Sequence, residues 1–182
     1  LVNFSGNDLT IVNSARVSLG NLKQELDTND IKLIKYLIKH NHVSTLEHCF
    51  FTFKLKVPIY VARQIMRHKS WSFNEISGRY VEFKDEFFIP DDFREQDKNI
   101  KQGSKSVEDS KLNTKLINCI YRLACNTSYY YYNLLLKLGL CKEQARGVLG
   151  LSLYTELYAT CNLRSLYHFL KLRLDTHTQY ET

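Results

Sequence analysis

Residues 49–68 read Cys-Phe-Phe-Thr-Phe-Lys-Leu-Lys-Val-Pro-Ile-Tyr-Val-Ala-Arg-Gln-Ile-Met-Arg-His, and the hydrophobic period changes inside this stretch. Phe51, Phe53, Leu55 and Val57 fall on one side while Thr52, Lys54 and Lys56 fall on the other, which is the alternation of a half-buried strand. Pro58 then suits the first turn of a helix, where its missing N–H costs nothing. Ile59, Ala62, Ile65 and Met66 supply the apolar face of that helix, which is expected to run through His68. Gln64, Arg67 and His68 stand at i, i+3 and i+4, so on a continuous helix they present together at its C-terminal end.

Working outward, Thr28-Asn29-Asp30 offers capping side chains to an amphipathic helix carrying Ile31, Ile34, Leu37 and Ile38, which ends at His40-Asn41-His42. On the other side, Gly78 closes a polar loop and Arg79 to Lys84 alternates as a second strand. Residues 94–111 are strongly polar and read as an exposed connection. A long helix is expected from about Val107 to Leu138, with Gly139 as its C-terminal cap and Tyr129–Tyr132 as core or interface aromatics. A shorter helix around 141–149 carries Arg146, and 151–160 fits strand or helix. Asn162 caps a final helix through Asp175, with Leu163, Leu166, Leu170 and Leu174 on its buried side and Arg164, His168, Lys171 and Asp175 on another face. Strands mixed with longer helices give an α+β class. Sheet order is not legible, and there is no internal repeat or linker.

With 182 residues, 44% of them hydrophobic and 13% aromatic, one well-buried domain over 1–182 is expected and disorder is not. The net charge of +6 calls for an anionic partner. The 67–79 basic cluster is interleaved with Ser, Asn and Glu, which favours a discrete phosphate ligand over a long polyanion track. Five cysteines without a Cys-x-x-Cys pair indicate neither a disulfide framework nor a zinc site. No apolar run reaches membrane-spanning length and no signal peptide is evident, so a reducing cytoplasmic setting is expected, with no membrane partner.

The densest ligand-binding segment is 67–80, Arg-His-Lys-Ser-Trp-Ser-Phe-Asn-Glu-Ile-Ser-Gly-Arg-Tyr. Arg-His-Lys, seven intervening residues and then Ser77 resembles the signature of the flavin-dependent thymidylate synthases, usually Arg-His-Arg followed seven residues later by Ser. Lys69 keeps the charge of the third position but gives up the planar guanidinium fork. The resemblance spans roughly 14–181. Its landmarks are Ser-Ala-Arg-Val-Ser at 14–18, His-Val-Ser-Thr-Leu-Glu-His at 42–48, Val-Ala-Arg-Gln at 61–64, Ala-Arg at 145–146, Leu-Tyr-Thr at 153–155, Asn-Leu-Arg-Ser-Leu at 162–166 and Leu-Arg-Leu-Asp-Thr-His-Thr-Gln at 172–179.

The resemblance implies a central, mostly antiparallel sheet flanked by a helical bundle, and a homotetramer with active sites shared between subunits. It implies FAD as cofactor, held by Ser44, Arg67, His68, Lys69, Glu75, Asn162, Leu163, Arg164 and His168, the last replacing the Asn of many members. It implies dUMP as substrate, held by Gln64, Ile65, Met66, Arg67, Glu75, Ile76, Ser77, Gly78, Arg79, Arg146 and Arg173. Arg173 is the expected catalytic residue, set against the uracil edge where it favours the ionised base. NADPH and 5,10-methylenetetrahydrofolate are implied as co-substrates, and no metal. His42 and His177 flank the folate or the flavin, or are hydrogen-bonded histidines near helix ends. Relatives continue for several helical turns past the position of Glu181, so a further C-terminal element is expected.

Two other readings compete. The basic charge and the tyrosines suit a nucleic-acid-binding protein without catalysis, although no recognised binding motif is present and no nucleic acid is expected. His40, His42, Glu47 and His48 suit a metal-dependent hydrolase, although His-Glu-x-x-His is absent. Only the flavoenzyme requires a visible flavin band.

Overall fold

The computed structural model describes residues 1–97, 103–105 and 112–174. A short strand β1 (Asn3–Ser5) leads into helix α1 (Asp8–Arg16), followed by α2 (Thr28–Lys39), β2 (Phe50–Pro58), α3 (Ile59–Ile65) and β3 (Ser72–Glu75). The long helix α4 (Thr114–Lys137), the single turn α5 (Lys142–Ala145), β4 (Tyr154–Asn162) and α6 (Leu163–Arg173) complete the order. The strands form one antiparallel sheet in the order β1-β2-β4-β3, with Phe4 opposite Phe51. This is the α+β architecture expected from the period change at Pro58.

Local chemistry explains the boundaries. At α1, the Asn7 side chain accepts from the Thr10 N–H while the Thr10 hydroxyl accepts from the Asn7 N–H, a reciprocal capping box. Asp27, one residue before the expected cap of α2, is extended and accepts from the Asn29 and Asp30 N–H groups. Asp30 returns the bond to the Asp27 N–H. Gly139, at φ +87, ends α4 in the left-handed conformation that a side chain disfavours. Of residues 151–160, those from Tyr154 on form strand: Thr155, Leu157, Ala159 and Cys161 are buried at period two along β4.

Three sequence expectations are corrected. Arg79 to Lys84 is not a strand, because the N–H groups of Tyr80 and Val81 both donate to the Ser77 carbonyl and close a turn; the strand is β3, inside the stretch read as loop. The helix after Pro58 stops at Ile65, and Arg67 and His68 leave it on tightened turns whose N–H groups reach Gln64 and Ile65. Along α6 the buried position is Ser165, while Leu170 is 42% and Leu174 79% exposed. Tyr130 and Tyr131 are exposed, and only Tyr132 of that run is fully buried. The start of α4 before residue 112, Asp175 and His177 lie outside the described residues.

The chain divides into two compact units. Among the described residues the first comprises 1–55, 64–74 and 157–174, and its core places Ile11, Leu46 and Cys49 against Ile34, Ile38, Val43, Phe51 and Leu163. The second comprises 56–63 and 75–156. There the buried Tyr132 hydroxyl accepts the Phe83 N–H at 3.1 Å, and the Tyr129 hydroxyl donates to the Phe83 carbonyl at 3.2 Å. α4 thus fixes the turn that follows Ser77.

Candidate functional site

In the first unit, β4 runs directly into α6 through Asn162, whose side-chain oxygen accepts the Ser165 N–H at 2.9 Å. The Leu163 N–H donates to the Cys49 carbonyl at 2.8 Å, so the start of α6 is tied to the chain entering β2. Beside this start is a cleft of about 590 Å³, whose wall includes Glu47, Ser70, Asn162, Arg164, His168 and Lys171. Arg164 and Glu47 form an ion pair across 117 positions of sequence. The cleft volume lies within the range that suits a cofactor-sized ligand.

His68, Trp71 and Arg173 form a second group in this unit. The His68 ring meets Phe169 edge-on at 4.9 Å, and Trp71 is 5.2 Å from the same ring. Arg173 Nη2 is 3.4 Å from His68 Nε2, and the His168 ring lies 6.5 Å from that of His68. Burial, then Arg173, then His168 push the His68 pKa below its ordinary value. Trp71 Nε1 and Arg173 Nε are buried with no hydrogen-bond partner among the described residues. Such donors carry an unmet desolvation cost, which a polar ligand relieves.

In the second unit, Glu75 closes β3 and its carboxylate accepts the Thr155 hydroxyl at 2.6 Å, while the Ile76 N–H donates to the Glu156 carbonyl. The Ser77 hydroxyl accepts the Arg79 N–H at 3.3 Å. A Cβ on Gly78 would lie 2.3 Å from the Phe83 ring and 2.9 Å from Arg146 Cδ. Only glycine lets these groups close on the turn. Arg79 Nε is 3.1 Å from the Glu143 carboxylate, and Arg146 Nε donates to the Glu143 carbonyl at 3.2 Å. A parallel ion pair joins Lys142 to Glu82. Arg79, within the turn, and Arg146 thus both meet Glu143, and two guanidinium groups are a donor set suited to a phosphate monoester.

Of the expected cofactor set, Asn162, Arg164 and His168 line the cleft. Ser44, Arg67 and Lys69 are exposed and lie outside its wall, as does Leu163. Of the expected substrate set, Glu75, Ser77, Gly78, Arg79 and Arg146 gather in the second unit with an exposed Ile76, while Gln64, Ile65, Met66, Arg67 and Arg173 belong to the first. His42 is exposed, its N–H donating to the Leu37 carbonyl. Sequence reasoning missed the contacts of Glu47, Glu143 and Thr155. Glu47 and Thr155 stand inside quoted landmarks, but nothing in spacing reveals partners 117 and 80 positions away. Among the described residues no three His, Cys, Asp or Glu converge as a metal site, and no helix is long and apolar enough to cross a membrane.

The family described as thymidylate synthase complementing protein matches residues 1–182. The chain belongs to this family. It is 48% identical to a flavin-dependent thymidylate synthase of Kosmotoga olearia, covering 100% of this chain and 78% of the relative. It is 46% identical to the protein of the same name from Thermosipho melanesiensis, again covering 100% and 78%. Among solved structures, a UMP/dUMP methylase PolB from Streptomyces cacaoi bound with 5-Br dUMP superposes with a TM-score of 0.83 at 37% identity, covering 95% of this chain and 76% of that one. Family membership accounts for the motif order read from the sequence.

Proposed function

We propose that the chain is an FAD-dependent thymidylate synthase that converts dUMP to dTMP, with 5,10-methylenetetrahydrofolate as carbon donor and NADPH as reductant. The family match and relatives named flavin-dependent thymidylate synthase support the activity. The observation that carries the substrate class is the turn at Gly78, which admits no side chain, is packed by Arg146 Cδ and carries Arg79, both arginines meeting Glu143. The nucleic-acid-binding reading gains nothing from these relatives.

The residues of the first unit fit a flavin nucleotide. Asn162, Arg164, His168 and Lys171 give the cleft a polar, net cationic wall, and Trp71 Nε1 is a buried donor without a partner among the described residues. FAD bound there supplies the hydride, and the folate supplies the one-carbon unit. The chain's own residues do the rest. Arg79 and Arg146 bind the phosphate of dUMP, and Ser77 adds a hydrogen bond to the substrate. Among the described residues no base contacts the Ser77 hydroxyl, which instead accepts a backbone N–H. It therefore acts as a ligand and not as a nucleophile.

Arg173 supplies positive charge to the pyrimidine edge and stabilises the ionised base. Its half-buried side chain, whose Nε has no partner among the described residues, supports that role, since an unmet donor is preorganised for a ligand. The 182 residues act as one catalytic domain in a cytoplasmic homotetramer, and the exposed apolar residues of α4 (Leu116, Ile120, Leu123) suit burial against another subunit.

Gel filtration after incubation with FAD tests the cofactor assignment. The protein is expected to elute with a flavin absorbance band that shifts on adding dUMP. Elution without flavin, at FAD concentrations well above micromolar, would overturn the reading.

A further inference from the structure

We propose that Lys171 is the cation that neutralises the phosphates of the flavin nucleotide in this chain, a binding role that the signature residues do not assign to it. The inference rests on the flavin reading above. Arg164, His168 and Lys171 stand at i, i+4 and i+7 along α6, one face of the helix, and all three line the cleft beside Asn162. Their charges are not equivalent. Arg164 is already held by the Glu47 carboxylate, so a ligand must share it with that carboxylate. His168 is an imidazole, and Asn162, Ser165 and Ser70 are neutral. Lys171 has no carboxylate partner among the described residues.

Lys69 sharpens the point. It stands where the family signature usually has a second arginine, yet it is exposed and outside the cleft wall. A diphosphate brought into the cleft carries two negative charges, and a half-enclosed site must match them to offset the lost hydration. The four-carbon stem of a lysine on the cleft rim reaches such an anion without a fixed fork geometry.

The test compares FAD with riboflavin, which shares the ring system and lacks phosphate. Binding of each is followed by flavin fluorescence quenching for the wild-type protein, Lys171→Gln and Lys171→Arg, with the melting temperature of the ligand-free proteins as the folding control. Lys171→Gln is expected to weaken FAD binding roughly tenfold, the effect of one partly exposed charge-assisted contact. Lys171→Arg is expected to restore most of it, and riboflavin binding is expected to be the same in all three. Unchanged FAD affinity in Lys171→Gln would overturn the inference while leaving the flavin reading intact. Equal weakening of FAD and riboflavin would overturn it as well, since the residue would then act through packing. A wild-type protein that binds neither ligand would instead remove the flavin reading itself.

Discussion

Glu143 holds Arg79 through its carboxylate at 3.1 Å and, through its own backbone carbonyl, steadies Arg146 at 3.2 Å. Both contacts use Nε of the arginine, so the outer Nη edges of the two guanidinium groups are left for an anion. Glu143 is therefore a positioning residue. Both side chains of the Arg79–Glu143 pair are more than half exposed, and such pairs contribute little by themselves. Glu143→Ala is expected to raise KM for dUMP about threefold with kcat unchanged. Arg79→Ala, which removes a proposed phosphate ligand, is expected to raise it at least about tenfold, as loss of roughly 1.5–3 kcal/mol implies. Steady-state kinetics with varied dUMP checks both. A fall in KM for Glu143→Ala would mean that the carboxylate competes with substrate and does not organise its site.

Ser77→Ala is expected to weaken dUMP binding by about 1.5–3 kcal/mol, one hydrogen bond to an anionic ligand, while turnover at saturating dUMP remains measurable. Loss of all turnover at saturation, or a covalent adduct trapped on Ser77 in the wild-type protein, would contradict the ligand role.

Arg173→Ala separates substrate activation from cofactor binding. The variant is expected to keep its flavin absorbance and its NADPH oxidation by oxygen while dTMP formation falls by a factor corresponding to roughly 2.7–4 kcal/mol. Near-normal product formation would sink the proposed role. An apoprotein would move Arg173 to the flavin site.

The acid stability of the first unit depends on Asp30, which is fully buried between Lys23 at 2.8 Å and Arg16 at 2.8 Å. The Lys23 hydrogen bond foremost, then the Asp27 N–H, hold its carboxyl down at about 2 against the opposing effect of burial. A depressed folded-state pKa favours the ionised form, so this contribution is complete above the unfolded value near ~4 and is lost as pH falls towards ~2. Asp30→Asn is expected to lower the melting temperature at pH 7 and to converge on the wild type between pH 4 and pH 2. A gap that stays constant across that window would contradict the linkage.

The strand of 50–58 was legible because alternation over nine residues has only one explanation, and the cap at Asn162 because its side chain acts three residues away. What failed depended on distant partners. Arg79 to Lys84 alternates as a strand does, but Phe83 is held in place by two tyrosines of α4 some 46 and 49 positions later, and the turn wins. The leucines of α6 follow a helical period, yet the surface they meet lies elsewhere in the chain, and Ser165 takes the buried place. The site divided in the same way. Motif order singled out Arg79, Arg146 and Gly78 as candidates, whereas the pairs Glu47–Arg164 and Glu75–Thr155 join residues whose proximity exists only after folding.

The central claim is tested most directly by incubating the purified protein with dUMP, 5,10-methylenetetrahydrofolate, NADPH and FAD and following nucleotide products by mass spectrometry, with UMP in a parallel reaction and FAD omitted from a third. The account predicts dTMP from dUMP in stoichiometry with NADPH consumed under anaerobic conditions, and none without flavin. Absence of dTMP from a protein that has bound FAD, or dTMP formation undiminished in flavin-free protein, would contradict it.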